Sequence, residues 1–125
     1  MNKSKLNIWG REFELDIEYD CYSGEEVLPI QNEALKSFVG ASMAISAAKN
    51  NVEKYCLMNN QVDMGTDYID NIFKYVIPKY LFVKRNTDKR VVAIMCNYKF
   101  DMEHGLAIVF EDEKLTQIGK QDIIL

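Results

Sequence analysis

A chain of 125 residues, 48% hydrophobic and 27% charged, can bury roughly two-thirds of its unfolded surface in one core. That composition argues against disorder and against dependence on a metal or disulfide staple. The formal net charge of −4 disfavours non-specific nucleic-acid binding, and no apolar run approaches the roughly 20 residues that span a membrane.

Three well-separated cysteines, Cys21, Cys56 and Cys96, form no C-x-x-C pair and read as reduced thiols of a cytoplasmic protein. The first ten residues lack the apolar core of a secretory signal. The sequon Asn2-Lys3-Ser4 therefore reads as coincidence.

Lys5–Trp9 and Arg11–Asp20 read as an N-terminal hairpin (residues 5–20) turning at Gly10. In its second strand Phe13, Leu15, Ile17 and Tyr19 alternate with Glu12, Glu14, Asp16, Glu18 and Asp20. Period two puts the first set in the core and the second in water. Pro29 suits a helix start, and Ile30–Val39 places Ala34, Leu35, Phe38 and Val39 on one face. Gly40 breaks that helix, and Ser42 is the expected cap of a second. The second runs to about Asn59, with Ile45, Ala48, Val52, Tyr55 and Cys56 inward. A third helix is expected from Thr66 or Asp67 to Val76, carrying an Asp70–Lys74 pair and ended by Pro78. The helical middle thus covers 30–76.

Residues 79–125 read as a β-meander. Lys79–Arg85 and Arg90–Tyr98 flank the turn Asn86-Thr87-Asp88-Lys89. Leu106–Glu111 and Leu115–Ile118 flank Asp112-Glu113. An apolar tail, Ile123-Ile124-Leu125, follows Gly119. The expectation is a single α+β domain, 1–125: a mostly antiparallel sheet of about six strands, with two or three helices packed on one face.

Three stretches invite a functional reading. The first is the acidic row. Same-face side chains in a strand stand about 6.7 Å apart, so five carboxylates share one face. Taking those five charges out of a net of −4 leaves +1. A solvated face explains them, and so does a docking patch for a basic protein, with Trp9 as an anchor beside it or as a lid on the core. The second is Lys84–Arg90, with four basic residues in seven, read as a solvated turn. There is no Gly-rich phosphate loop, and no cofactor is expected. The third is Phe100-Asp101-Met102-Glu103-His104-Gly105, which gathers two carboxylates, the only histidine and a glycine. Asp101, Glu103 and His104 could serve a metal-assisted or acid–base hydrolase. One histidine is a poor metal set, however, and no nucleophile stands beside it. An Asx-type turn closed by Asp101, with Gly105 at positive φ, accounts for the same residues.

The stretch Asn97–Phe110, with Ile118-Gly119 and Asp122 after it, resembles a group of small uncharacterised bacterial proteins. Their C-terminal half reads Phe/Trp-Asp-x-Glu-His-Gly-Leu-x-Ile/Val-x-Phe, then Ile/Val-Gly-x-x-Asp. Tyr75-Val76-Ile77-Pro78-Lys79 resembles their helix-to-strand junction, and Trp9-Gly10 fits their opening loosely. The resemblance implies a single-domain cytoplasmic module of no established reaction, with Asp101, Glu103, His104 and Gly105 as signature positions. Some similar small acidic proteins are antidotes to toxins of interbacterial competition. The leading expectation is a protein-binding module, of immunity type, that blocks a basic partner. The alternatives are the hydrolase and a structural subunit of a homo-oligomer.

Overall fold

The computed structural model describes residues 3–125; Asn2 of the sequon lies outside them. The elements are β1 (Lys3–Ile8), β2 (Arg11–Tyr19), α1 (Pro29–Val39), α2 (Ser42–Met64), β3 (Val76–Val83), β4 (Val91–Tyr98), β5 (Leu106–Glu111) and β6 (Lys114–Gly119). All six strands form one sheet in the order β1-β2-β3-β4-β5-β6. Every neighbouring pair is antiparallel except β2–β3, which is parallel. Hairpins join the antiparallel strands. The parallel pair needs a crossover, and both helices lie within it.

The two tightest turns follow from their residues. Trp9 and Gly10 have φ of 53° and 87°, and Asp112 and Glu113 have φ of 49° and 63°. These are two-residue hairpin loops with both central residues left-handed, the hand that matches strand twist. The side chain of Asn7 supports the first by accepting the Gly10 N–H at 3.1 Å.

The inner face of the sheet carries the main core. Leu6, Ile8, Leu15, Leu81, Val83, Val92, Ile94, Leu106, Ile108 and Phe110 meet Ala34 and Phe38 of α1 and Ile45, Ala48, Val52 and Cys56 of α2. Phe38 packs on Phe110 at 5.0 Å between ring centroids. Helix α1 lies over β3 and β4, whereas α2 reaches both β1 and β6. Its 23 residues give about 34 Å of helix, enough to cross the roughly 24 Å that separate the outer strands of a six-stranded sheet.

Gln31 is the one fully buried polar side chain among the described residues, 1% exposed. Its Nε2 donates to the carbonyls of Asp20 and Val83, each at 3.2 Å, and its Oε1 accepts the Leu28 N–H at 2.9 Å. The Asp20 N–H also donates to the Val83 carbonyl at 2.9 Å. One amide therefore joins the ends of both strands of the parallel pair to the first turn of α1.

The helical middle is shorter than 30–76. The expected third helix is absent. Gly65 closes α2 in the left-handed region at φ 70°, and Tyr68 is 67% exposed. Only a 3-10 turn, Ile72–Lys74, follows, capped by Asn71 Oδ1 on the Phe73 N–H at 3.1 Å. The Asp70–Lys74 pair forms at 3.0 Å without a helix beneath it. Val76 and Ile77, both β-branched, pair with Tyr98 and Asn97 of β4 instead; ladder pairing outweighs the helical spacing. Pro78 ends no helix. It sits in β3 beside the register shift between Pro78 and Tyr80, where a missing N–H is tolerated.

Helix α2 runs past Asn59 to Met64, bending at Asn60 (φ −138°), whose Oδ1 accepts the Tyr98 hydroxyl at 2.7 Å. Ser42 does not cap it; Ala41 holds that position without a side-chain bond. In α1, Gln31 is buried and Val39 is 36% exposed, reversing the expected inward place of Val39.

Replacing Gln31 by Met keeps the volume and removes the three side-chain bonds to Leu28, Asp20 and Val83. Each buried group left unsatisfied costs about 1–3 kcal/mol. With water reaching part of the site, Gln31→Met is expected to lower the unfolding free energy by about 2–3 kcal/mol, read as a lower urea midpoint at unchanged slope.

Candidate functional site

Helices cover only the inner face of the sheet, so outward side chains of β1 and β2 face solvent. Glu12, Glu14, Asp16 and Glu18 are all exposed, in a row set by the pleat. The register places Lys3 opposite Asp16 and Lys5 opposite Glu14. Lys3 Nζ lies 3.6 Å from Asp16 and 3.8 Å from Glu14. Such exposed pairs are worth less than about 1 kcal/mol. The face is thus acidic with two lysines set in it, a correction that only the register could supply.

Asp20 does not join the row. Its Oδ2 accepts the Arg85 N–H at 3.0 Å and lies 3.6 Å from Lys84 Nζ, which fixes the β3–β4 loop to the end of β2. Trp9 turns to the other face. Its Nε1 donates to the Ile45 carbonyl at 2.9 Å and its ring stacks on Phe73 at 5.9 Å, so it ties the β1–β2 turn to α2.

The basic hairpin is neutralised from within. Lys84 meets Asp20, Arg85 meets Glu25 at 3.5 Å, Lys89 meets Glu111 at 3.0 Å and Arg90 meets Glu113 at 2.9 Å. The outer face of β2 keeps an acidic excess, with Lys3 set against Glu14 and Asp16 and no lysine on Glu12 or Glu18 among the described ion pairs.

The signature turn joins β4 to β5, at the end of the sheet where β3 begins. The Asp101 N–H donates to the Tyr98 carbonyl and the Gly105 N–H to the Asp101 carbonyl at 2.8 Å. Asp101 Oδ1 accepts the His104 N–H at 3.2 Å, and both carboxylate oxygens lie 3.0–3.1 Å from His104 Nδ1. Phe100 stacks on Tyr75 at 5.6 Å, with Lys99 Nζ 5.9 Å from the Phe100 centroid. Gly105 has φ +61°, and a Cβ there would come within 2.5 Å of Gln121 Nε2 and 2.7 Å of the Cys96 carbonyl oxygen. Gln121 fills that space, donating from Nε2 to the Cys96 carbonyl and from its N–H to the His104 carbonyl, each at 3.0 Å.

This is the geometry of a closed turn with a segment docked on it. Asp101 and His104 meet; Glu103 is exposed and joins neither. Among the described residues no three His, Cys, Asp or Glu side chains gather as a metal set. Burial pushes the Cys56 and Cys96 thiols up, away from the thiolate. The hydrogen bonds from His104 hold the Asp101 carboxyl below the usual carboxylate range, with Lys120 adding attraction.

One family, described as Domain of unknown function (DUF6985), matches residues 2–125. The chain belongs to that family. No curated protein and no solved structure matches it. The DUF6985 match runs through both the acidic strand and the signature turn, so both lie inside the family's domain. Among the described residues of this DUF6985 chain, no helix is long and apolar enough to cross a membrane.

Sequence reading missed Gln31 and Gln121 as working positions. Gln31 gave no signal, being one more amide in a helix pattern. Gly119, expected to turn the chain into the apolar tail, lies against Ile123 of that tail, where a Cβ would meet it at 3.2 Å.

Because the folded Asp101 carboxyl titrates below its unfolded value, its contribution is present above about pH 4. It is lost as pH falls through the lower folded value. Asp101→Asn is therefore expected to be less stable than the parent at pH 7, with the gap closing towards pH 2–3. Urea midpoints at both pH values check this; a gap independent of pH means the carboxylate is not the active group.

Proposed function

We propose that this DUF6985 chain is a protein-binding module that docks a basic partner on the outer face of β2, in the manner of an immunity-type antidote to a bacterial toxin. The observation that carries this is the exposed row Glu12, Glu14, Asp16 and Glu18, set on the sheet face that no helix covers. The other dense group of charges, Lys84–Arg90, is consumed by internal pairs. Four exposed carboxylates on one strand, against Lys3 and Lys5 on its neighbour, leave that face net acidic. A complementary field accelerates encounter and excludes acidic competitors. Three cysteines without disulfides suit the reducing cytoplasm.

The test is charge reversal. Glu14→Lys with Glu18→Lys lies on solvent-facing positions and leaves the core untouched. Low-salt capture from the native lysate should enrich basic proteins on the parent and lose them on the double variant. Their affinity for the parent should fall as salt rises through 0.15 M, where the screening length is about 8 Å. The same partners on both proteins would show that the docking face lies elsewhere.

A further inference from the structure

The outer face of the sheet is not polar throughout. Phe82, Val91, Ala93, Met95, Ala107 and Val109 form a second apolar cluster there, each 5% exposed or less. It is continuous with the acidic row. Glu18 stands opposite Phe82, Phe82 opposite Ala93, and Ala93 opposite Val109; in the next row Asp16, Tyr80, Met95 and Ala107 follow one another. Each row is acidic at β2 and apolar from β3 to β5.

What covers the apolar end is the segment Lys120–Leu125. Ile124 packs on the cluster, and its carbonyl accepts from Lys84 Nζ at 2.9 Å. The rest of the hold comes from Gln121, which bonds the His104 carbonyl of the signature turn and the Cys96 carbonyl of β4 beside it. No strand pairing secures the segment. Ile123 and Leu125 are 38% and 63% exposed. A hollow of about 330 Å³ remains between it and the sheet, lined by the apolar Val91, Val109, Ile123 and Ile124 and by six polar or charged residues from Lys84 to Gln117. The two signature glycines lie under this segment, Gly105 against Gln121 and Gly119 against Ile123.

We propose that Lys120–Leu125 is a displaceable strap latched by the signature turn, and that the patch beneath it is the second half of the docking surface. There it takes an apolar side chain that a basic partner carries beside its cations. This rests on the acidic-face reading and specifies its partner: basic, with a central apolar residue whose entry exchanges for Ile124. Three hydrogen bonds and one packed side chain make a cover that opens without unfolding the sheet. The Lys84 ammonium, shared between Asp20 and the Ile124 carbonyl, links strap and β2 directly.

Two measurements decide it. In the free protein, the Gln121, Ile123 and Ile124 amides should exchange at least about 100-fold faster than those of β4; exchange at the β4 rate overturns the strap. For the second, the probes are fluorescent hexalysine and the same peptide with a central phenylalanine. The parent should bind the phenylalanine peptide about tenfold more tightly, as burial of one such side chain allows. Ile124→Ser should tighten that peptide alone, and Glu14→Lys with Glu18→Lys should release both. Equal binding of the two peptides, with hexalysine still lost on charge reversal, overturns the apolar half and leaves the acidic face standing. Hexalysine indifferent to charge reversal, or no binding of either peptide, overturns both.

Discussion

The buried amide of Gln31 is the constraint on which the rest of the fold depends. A parallel pair in an otherwise antiparallel sheet leaves two strand ends side by side with their next carbonyls pointing into a closing core. Gln31 satisfies both, at Asp20 and Val83, and uses its own carbonyl to hold the start of α1. A non-polar residue there would leave the Leu28 N–H and the Asp20 carbonyl without that partner and the Val83 carbonyl with only the Asp20 N–H. With the clamp in place, α1 descends over β3 and β4, and α2 is left to cross the whole sheet. Trp9 secures its near end and Tyr98 its bend at Asn60. The register of β2 against β3 also follows, and with it the meeting of the acidic row and the apolar outer cluster.

That meeting explains how the sheet tolerates a solvent-facing side. The β1–β2 half is coated with charge and lies flat to water. The β3–β5 half is too apolar to do so, because β4 and β5 are central strands with small or branched side chains on both faces. A second layer is required there, and Lys120–Leu125 lies over it with Ile124 packed on the cluster. A thin cover, held by Gln121 at one end and by Ile124 at the other, is less stable than the sheet it protects. The edge strand β6 carries a register shift of its own, between Val109 and Phe110 of its neighbour, which discourages further strands from adding on that side.

Much of this was legible in the residues. The alternation of Arg11–Tyr19, the Pro29 start of α1 and the Asp112-Glu113 turn each rest on local rules, and each stands where those rules put it. The sheet class and strand count follow from the same patterns. The third helix failed because Tyr68, Ile69, Ile72, Phe73 and Val76 satisfy helical spacing and strand composition alike. Pairing with Tyr98, some 20 residues away, decided the matter. The acidic row was visible, but its lysines were not. Lys3 and Lys5 become its neighbours only through the β1–β2 register. Gln31 and Gln121 were invisible for a related reason: an amide reveals nothing until the carbonyls it must reach are in place.

The signature turn shows how residue types that suggest chemistry also serve a backbone turn. Asp101 and His104 meet at hydrogen-bond distance and resemble the base and orienter of a catalytic dyad. The carboxylate also takes the His104 N–H, so the contact is local, set by three residues of chain and not by a pocket. A dyad acts on something held beside it, whereas this contact is explained by the turn it closes. The glycine that follows lies against the Gln121 side chain, and its missing Cβ makes room for that amide of the same chain. Each component is accounted for by bringing one segment of backbone down onto another. The carboxylate sets the turn, the turn aims the His104 carbonyl, and the carbonyl catches the strap.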